Sequence, residues 1–326
     1  MAETPAPPPN DLRGLLDRGD ELVRNGDPKS AVQFYNAALG AAQSLGFADA
    51  PTLERLRQAQ IFIQDRMRDF QAELGRALEG RTGATPAEDL RMRHALELLE
   101  GKREIALQHP SVLYYPYLAQ RQFWERDEFD WVSGIEAATG DIRGELLALL
   151  ESDAEFRPYV EDEPNRPRRQ FAHLNDDPSW SALYLYRDGK VVEDNARRCP
   201  KTMSALESVP LSKVGRRTPI VLFSRLEPGA HIPPHHGMLN CRVICHLPLI
   251  VPPGCTLRVG NETRTWEEGK LLMFDDSIEH EARNPTGELR IILLFDVWRP
   301  ELGQAERDAI SAIFNAIDDF QPLPDA

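Results

Sequence analysis

The chain has 326 residues, 41% hydrophobic and 28% charged, a balance that suits a folded protein of two domains and excludes a fibrous or wholly disordered one. Its formal net charge of -14 excludes a general nucleic-acid binder, because phosphate contacts need a concentrated excess of Lys and Arg. The opening residues lack the basic start and apolar run of a secretory signal, and no stretch reaches the roughly 18 apolar residues of a membrane span, so a cytoplasmic protein without a membrane anchor is expected.

After a proline-rich leader, residues 15–42 have helical periodicity broken at Asn25-Gly26-Asp27-Pro28, a turn followed by a fresh helix start. A helix hairpin is expected. The spacing of Leu22, Gly26, Ala31, Tyr35, Ala38 and Leu39 resembles one tetratricopeptide repeat, in which small residues let two helices close on an aromatic side chain. Two more helices are expected over 51–78 and 86–108, which makes residues 1–108 a mainly helical domain. Its expected role is docking of a protein partner, or bracing of the domain that follows or of a dimer interface.

From His109 aromatic residues cluster, at Tyr114, Tyr115, Tyr117, Phe123, Trp124, Phe129 and Trp131, and a second domain over 109–326 begins. Residues 141–150 read as a short amphipathic helix. Strand patterns then follow over 183–186, 220–224, 242–249, 255–259, 271–274 and 290–297, divided by Gly-, Pro- and Asn-rich turns, and a helix over 305–319 closes the chain. Short strands at regular intervals are the mark of a sandwich or barrel, so an α+β chain is expected with a jelly-roll behind a helical domain. The four cysteines, Cys199, Cys241, Cys245 and Cys255, match neither a disulfide scaffold nor a paired zinc motif, and reduced packed thiols are expected.

Five of the eight histidines, His231, His235, His236, His246 and His280, fall in the strand-rich half. Neutral imidazole is the commonest ligand for catalytic iron, and iron oxygenases take their protein ligands on one face of the metal, leaving the other for substrate and oxygen. Pro234-His235-His236-Gly237 follows one strand and Asp275-Asp276-Ser277-Ile278-Glu279-His280 ends a later one, so both can reach one barrel mouth. Arg290, on the next strand, is placed to hold an anionic co-substrate by a bidentate bond, its alternative being a carboxylate of the protein, with Asp296 as the candidate.

Over residues 109–302 the chain resembles the aspartyl/asparaginyl β-hydroxylase family. The resemblance is carried by Pro234-His235-His236-Gly237, Asn240-Cys241-Arg242, Cys245-His246-Leu247, Asn261 through Lys270, Phe274-Asp275-Asp276-Ser277, Glu279-His280-Glu281 and Asp296 through Leu302. It implies a cupin-like double-stranded β-helix that uses Fe(II), 2-oxoglutarate and O2. It further implies that His235 and His280 bind the metal, that Ser224 and Arg290 hold the far carboxylate of 2-oxoglutarate, and that His246 contacts its other end. Gly237 stands where most iron oxygenases carry Asp or Glu, a feature of this branch. A two-histidine opening is shared with halogenases, so spacing leaves halogenation open. Leu222 and Ile244 stand where the animal members carry basic residues near the co-substrate and substrate carboxylates. Arg242 alone remains basic on that strand, which points away from the animal substrates. The implied reaction is hydroxylation of the β carbon of an Asp or Asn residue in a peptide or protein. Hydroxylation of an acyl chain or free amino acid, and a silent cupin-like adaptor, are the alternatives.

Overall fold

A computed structural model describes residues 7–46, 49–81, 83, 85–152, 154–160 and 176–320. The first six residues of the proline-rich leader lie outside the described residues. The chain divides into two compact units, Met1–Glu104 and Ile105–Ala326.

The first unit contains α1 (Leu12–Arg24), α2 (Pro28–Leu45), α3 (Ala50–Leu78) and α4 (Pro86–Leu99). Each starts where a short polar side chain satisfies an otherwise orphaned backbone N–H: Asp11 accepts from Gly14, Asp27 from Ser30 and Asp49 from Thr52, and Thr85 forms a reciprocal capping box with Glu88. Leu15, Leu16, Leu22, Ala31, Tyr35, Ala38, Leu56 and Ala59 form the core of this unit. The small residue that admits Tyr35 is Gly19: a Cβ there would lie 2.3 Å from the Tyr35 ring, whereas Gly26 sits in the turn at φ 79° with open space around it. The helix expected over 86–108 stops at Leu99, because Gly101 takes the left-handed conformation at φ 68° that ends helices.

The second unit is a double-stranded β-helix. Its strands are β1 (Phe123–Trp124), β2 (Arg157–Pro158), β3 (Trp180–Arg187), β4 (Lys190–Val191), β5 (Val221–Leu226), β6 (His231–His235), β7 (Arg242–Ile250), β8 (Thr256–Val259), β9 (Glu262–Thr265), β10 (Leu272–Phe274), β11 (His280–Arg283) and β12 (Arg290–Trp298). Helices α5 (Val132–Ala137), α6 (Thr139–Glu151), α7 (Glu193–Arg198), α8 (Pro200–Leu206) and α9 (Gln304–Phe320) complete it. One antiparallel sheet runs β1-β10-β7-β12-β5-β3-β2, with β4 on β3, and a smaller one runs β6-β11-β8-β9.

The central strands of the large sheet read as nearly continuous apolar runs because both faces are covered. Alternation then decides which side chain goes where. Val243, Cys245, Leu247 and Leu249 of β7, Ile291, Leu293, Phe295 and Val297 of β12, and Val221 and Phe223 of β5 pack outward against Ile135, Ile142, Leu146, Leu149 and Leu206 of the helices. Each buried aliphatic side chain in such a layer contributes about 1.5–3 kcal/mol relative to exposure. The opposite parity, Arg242, Ile244 and His246 on β7, Ser224 on β5, and Arg290 and Leu294 on β12, lines a cavity inside the barrel. The cysteines are buried and free, and burial pushes the Cys199 and Cys241 thiols up to about 12.

Candidate active site

The cavity lies between the two sheets and has a volume of about 210 Å³. His235 and His280 enter it from the small sheet, where they are direct cross-strand partners, with ring centroids 3.9 Å apart. On β11 the alternation is regular, so His280 and Ala282 are buried while Glu281 and Arg283 pair with each other on the outside. On β6 it is not. His280 pairs with His235 but Ala282 pairs with Ile232, so β6 carries one extra residue at Pro233-Pro234. This bulge lets Ile232 and His235, three positions apart, both line the cavity.

Each histidine has its tautomer set by the backbone. His235 Nδ1 lies 2.8 Å from the Pro233 carbonyl oxygen, and His280 Nδ1 lies 3.0 Å from that of Ile278. A carbonyl only accepts, so both Nδ1 atoms donate and Nε2 carries the lone pair in each ring, the arrangement of metal-binding imidazoles. Burial, with the neighbouring His280, brings His235 down to about 3, and burial brings His280 down to about 4, so both are neutral as ligands must be. His236, half-buried, packs edge-to-face on His109 with centroids 5.7 Å apart.

Gly237 has no room for a side chain. A Cβ there would lie 2.0 Å from Asp276 Oδ2, so the Asp276 carboxylate fills the space a carboxylate at 237 would need. Asp276 Oδ2 accepts from Arg242 at 2.8 Å, and its Oδ1 is buried with no partner among the described residues. Among those residues no set of three or more His, Cys, Asp or Glu side chains is arranged to hold a metal ion.

Arg290 lies 1% exposed, with no carboxylate paired to it among the described residues. Its guanidinium sits 4.7 Å from the Trp266 ring and donates through Nη1 at 3.4 Å to the Ser224 hydroxyl and carbonyl oxygens, while Nε has no partner among the described residues. Burial pulls it down to about 10. The alternative reading, in which Asp296 pairs with Arg290, is not what the structure shows. Asp296 instead accepts from Arg242 at 3.2 Å, from the Ser212 hydroxyl at 2.6 Å and from the Ile220 amide at 2.8 Å. The physical reason is position along strands: Arg242 and Trp298 are register partners on β7 and β12, and Asp296 lies on the same face two residues away.

His246 accepts from Trp266 Nε1 at 3.3 Å through Nδ1, so its proton sits on Nε2 as a donor. Burial and the Arg290 charge hold it well below its ordinary value. The structure therefore gathers His235, His280, Ser224, His246, Arg290 and Arg242 around one cavity. Arg242 differs from the rest because two carboxylates already hold it. Sequence reading missed Asp276, the orienting Trp266 and the wall made by Trp180, on which Tyr159 stacks at 4.0 Å. The doubled Asp275-Asp276 between Phe274 and Ser277 is the one signal that could have marked Asp276, since adjacent carboxylates in a buried stretch need partners.

A cavity with a facing pair of histidines and one uncommitted arginine suits a 2-oxoglutarate-dependent iron site: two neutral nitrogen donors and a buried cation lacking an anion among the described residues. Comparison with known proteins agrees. The model of the family described as aspartyl/asparaginyl beta-hydroxylase matches residues 136–300, about half of the chain. Aspartyl/asparaginyl beta-hydroxylase from Homo sapiens is 40% identical over 184 residues, covering 56% of this chain and 23% of that protein. Ornithine lipid ester-linked acyl 2-hydroxylase from Rhizobium tropici is 34% identical over 191 residues, 58% of this chain and 64% of that one. Aspartate beta-hydroxylase domain-containing protein 2 from Homo sapiens is 32% identical over 214 residues, 64% and 56% respectively. The chain thus spans less than two thirds of each of these relatives. No helix among the described residues is long and apolar enough to cross a membrane. Fold, cavity and matched residues together make the chain a member of the aspartyl/asparaginyl β-hydroxylase family.

Proposed function

We propose that the chain is an Fe(II)- and 2-oxoglutarate-dependent hydroxylase acting on an Asp or Asn residue of a peptide or protein at the β carbon. The observation that carries this reading is the buried Arg290 without a carboxylate partner among the described residues, facing the same cavity as the paired His235 and His280. An unpaired buried charge is costly, and an anionic co-substrate would relieve that cost.

His235 and His280 would hold the iron through Nε2. Arg290 and Ser224 would bind the far carboxylate of 2-oxoglutarate, and the Nε2–H of His246 would donate to its other end. Iron and 2-oxoglutarate together supply the activation of O2 for C–H hydroxylation. The protein's share is placement. Arg290 and Ser224 fix the co-substrate, the carbonyls of Pro233 and Ile278 aim the two imidazoles, and apolar side chains exclude water from the site.

Hydroxylation is favoured over halogenation by Asp276. The Asp276 carboxylate already fills the space beside Gly237, and a halide brought there would meet a like charge, which repels strongly in a poorly solvated cavity. The experiment is to supply the protein with Fe(II), labelled 2-oxoglutarate and O2, and to measure succinate with and without chloride and a host proteome. Succinate that depends on iron, ignores chloride and accompanies a 16 Da gain on Asp or Asn upholds the reading. Absence of iron-dependent succinate overturns it.

A further inference from the structure

Around the cavity the fixed charges of the described residues already cancel. Arg290 carries one positive charge for the co-substrate. Arg242, the other cation of the lining, is held by Asp276 at 2.8 Å and Asp296 at 3.2 Å, so this group has no positive charge to offer. Burial pulls Arg242 down, but the two carboxylates outweigh it and hold the guanidinium above its ordinary value, which keeps it fully committed to them. A divalent metal and a dianionic co-substrate would cancel each other in turn. Apart from His236 and Tyr159, neither of which brings a fixed charge, the wall beside the histidine pair is mainly apolar, with Trp180, Ile232, Met238, Ile244 and Leu294 lining it.

Among the described residues a substrate carboxylate entering this space would find no uncommitted cation, and Asp276 Oδ1, itself unpartnered among those residues, would repel it. A carboxamide or an aliphatic segment meets neither penalty. We infer that the reacting group of the substrate is uncharged and largely aliphatic, an Asn or aliphatic side chain or an acyl segment, and that the apolar wall at Ile244 and Met238 excludes an aspartate. This rests on the hydroxylase reading above: within the Asp and Asn pair it selects the neutral member, and it extends the substrate class to uncharged aliphatic groups.

The test is binding, measured without turnover. The protein is saturated with Mn(II) and 2-oxoglutarate under anaerobic conditions and titrated calorimetrically with glycine-flanked pentapeptides bearing central Asp, Asn or Leu, and with octanamide. Binding of 2-oxoglutarate and iron-dependent succinate release without any added substrate are measured separately, so failure of the hydroxylase reading shows there and not in the order of the probes. The Asn or Leu peptide, or octanamide, is expected to bind about thirtyfold or more tightly than the Asp peptide, the penalty of an unpaired buried charge. Preference for octanamide over the Leu peptide identifies an acyl source and the reverse identifies a side chain; both uphold the inference. Ile244→Arg adds a cation to the wall and should bring the Asp peptide level with Asn. Met238→Lys, at a half-buried position where a lysine can reach solvent, makes the same test if Ile244→Arg fails to fold. Equal or tighter binding of the Asp peptide to the unaltered protein overturns the inference. So does an unchanged order of affinities in a folded variant.

Discussion

Two buried arginines on neighbouring strands of one sheet, Arg242 on β7 and Arg290 on β12, meet opposite surroundings. Arg242 has a carboxylate on either side, and Asp276 and Asp296 make it part of the barrel's own structure. Arg290 has an indole, a hydroxyl and a carbonyl, and among the described residues no carboxylate. Its pKa moves down toward 10 by burial, whereas that of Arg242 is held above its ordinary value. The same side chain at similar burial is therefore a structural member in one place and, in the function proposed, an open receptor in the other. What separates them is whether the fold or a ligand supplies the anion.

Removing the imidazole nitrogens proposed to bind iron should have the largest effect and make the proposed receptor at Arg290 useless. For His235→Ala or His280→Ala, iron affinity should fall by more than about 100-fold, beyond the 10- to 100-fold cost of losing a ligand's hydrogen-bond partner. Succinate release should disappear with it. Equilibrium dialysis of iron checks this, and His236→Ala, whose ring packs on His109, serves as the mild counterpart. Normal iron binding by His235→Ala with loss in His236→Ala would reverse the assignment within that pair.

Arg242→Ala should strike the fold. It leaves Asp276 and Asp296 buried without their cation, so unfolding free energy should drop by about 3–5 kcal/mol in urea melts. Arg290→Ala should do the opposite: stability holds or rises, because a lone buried charge is removed, while binding of 2-oxoglutarate weakens by about 2–5 kcal/mol. Measuring both variants by both assays crosses the comparison. Equal loss of stability in the two would erase the distinction between structural and receptor arginine, and unchanged 2-oxoglutarate affinity in Arg290→Ala would move the receptor elsewhere.

A smaller effect sharpens the structural side. Gly237→Ala puts a Cβ against the Asp276 carboxylate, which must shift and strain its bond to Arg242. A loss of about 1–3 kcal/mol is expected, the usual cost of overfilling a packed site. Gly237→Asp should be worse and should not improve turnover, since it adds a second carboxylate beside the first. A Gly237→Asp protein as stable and faster than its parent would mean that Asp276 has room to leave.

Much of the large sheet could be read directly from residue order. β7 and β12 announce themselves as long apolar runs interrupted at alternate positions by Arg242, His246, Arg290 and Asp296, and period-two alternation alone sends these four to the interior. The helix starts were equally legible, because Asp11, Asp27, Asp49 and Thr85 cap locally, within three residues. Of the small sheet only β8 was. His231-Ile232-Pro233-Pro234-His235 has two prolines, which argue against a strand, and its side chains face the cavity only through a bulge that its partner β11 stabilises. That His235 meets His280 is a contact across 45 residues, and no local pattern encodes it. The partner of each arginine was likewise decided in three dimensions. Asp296 was as near to Arg290 in the chain as any carboxylate of that strand, yet the antiparallel register carries it to Arg242 and leaves Arg290 facing the cavity. Hydrophobic period and caps are local properties, and residue order determines them; charge pairing is settled by which strands lie side by side, and only the assembled barrel decides that.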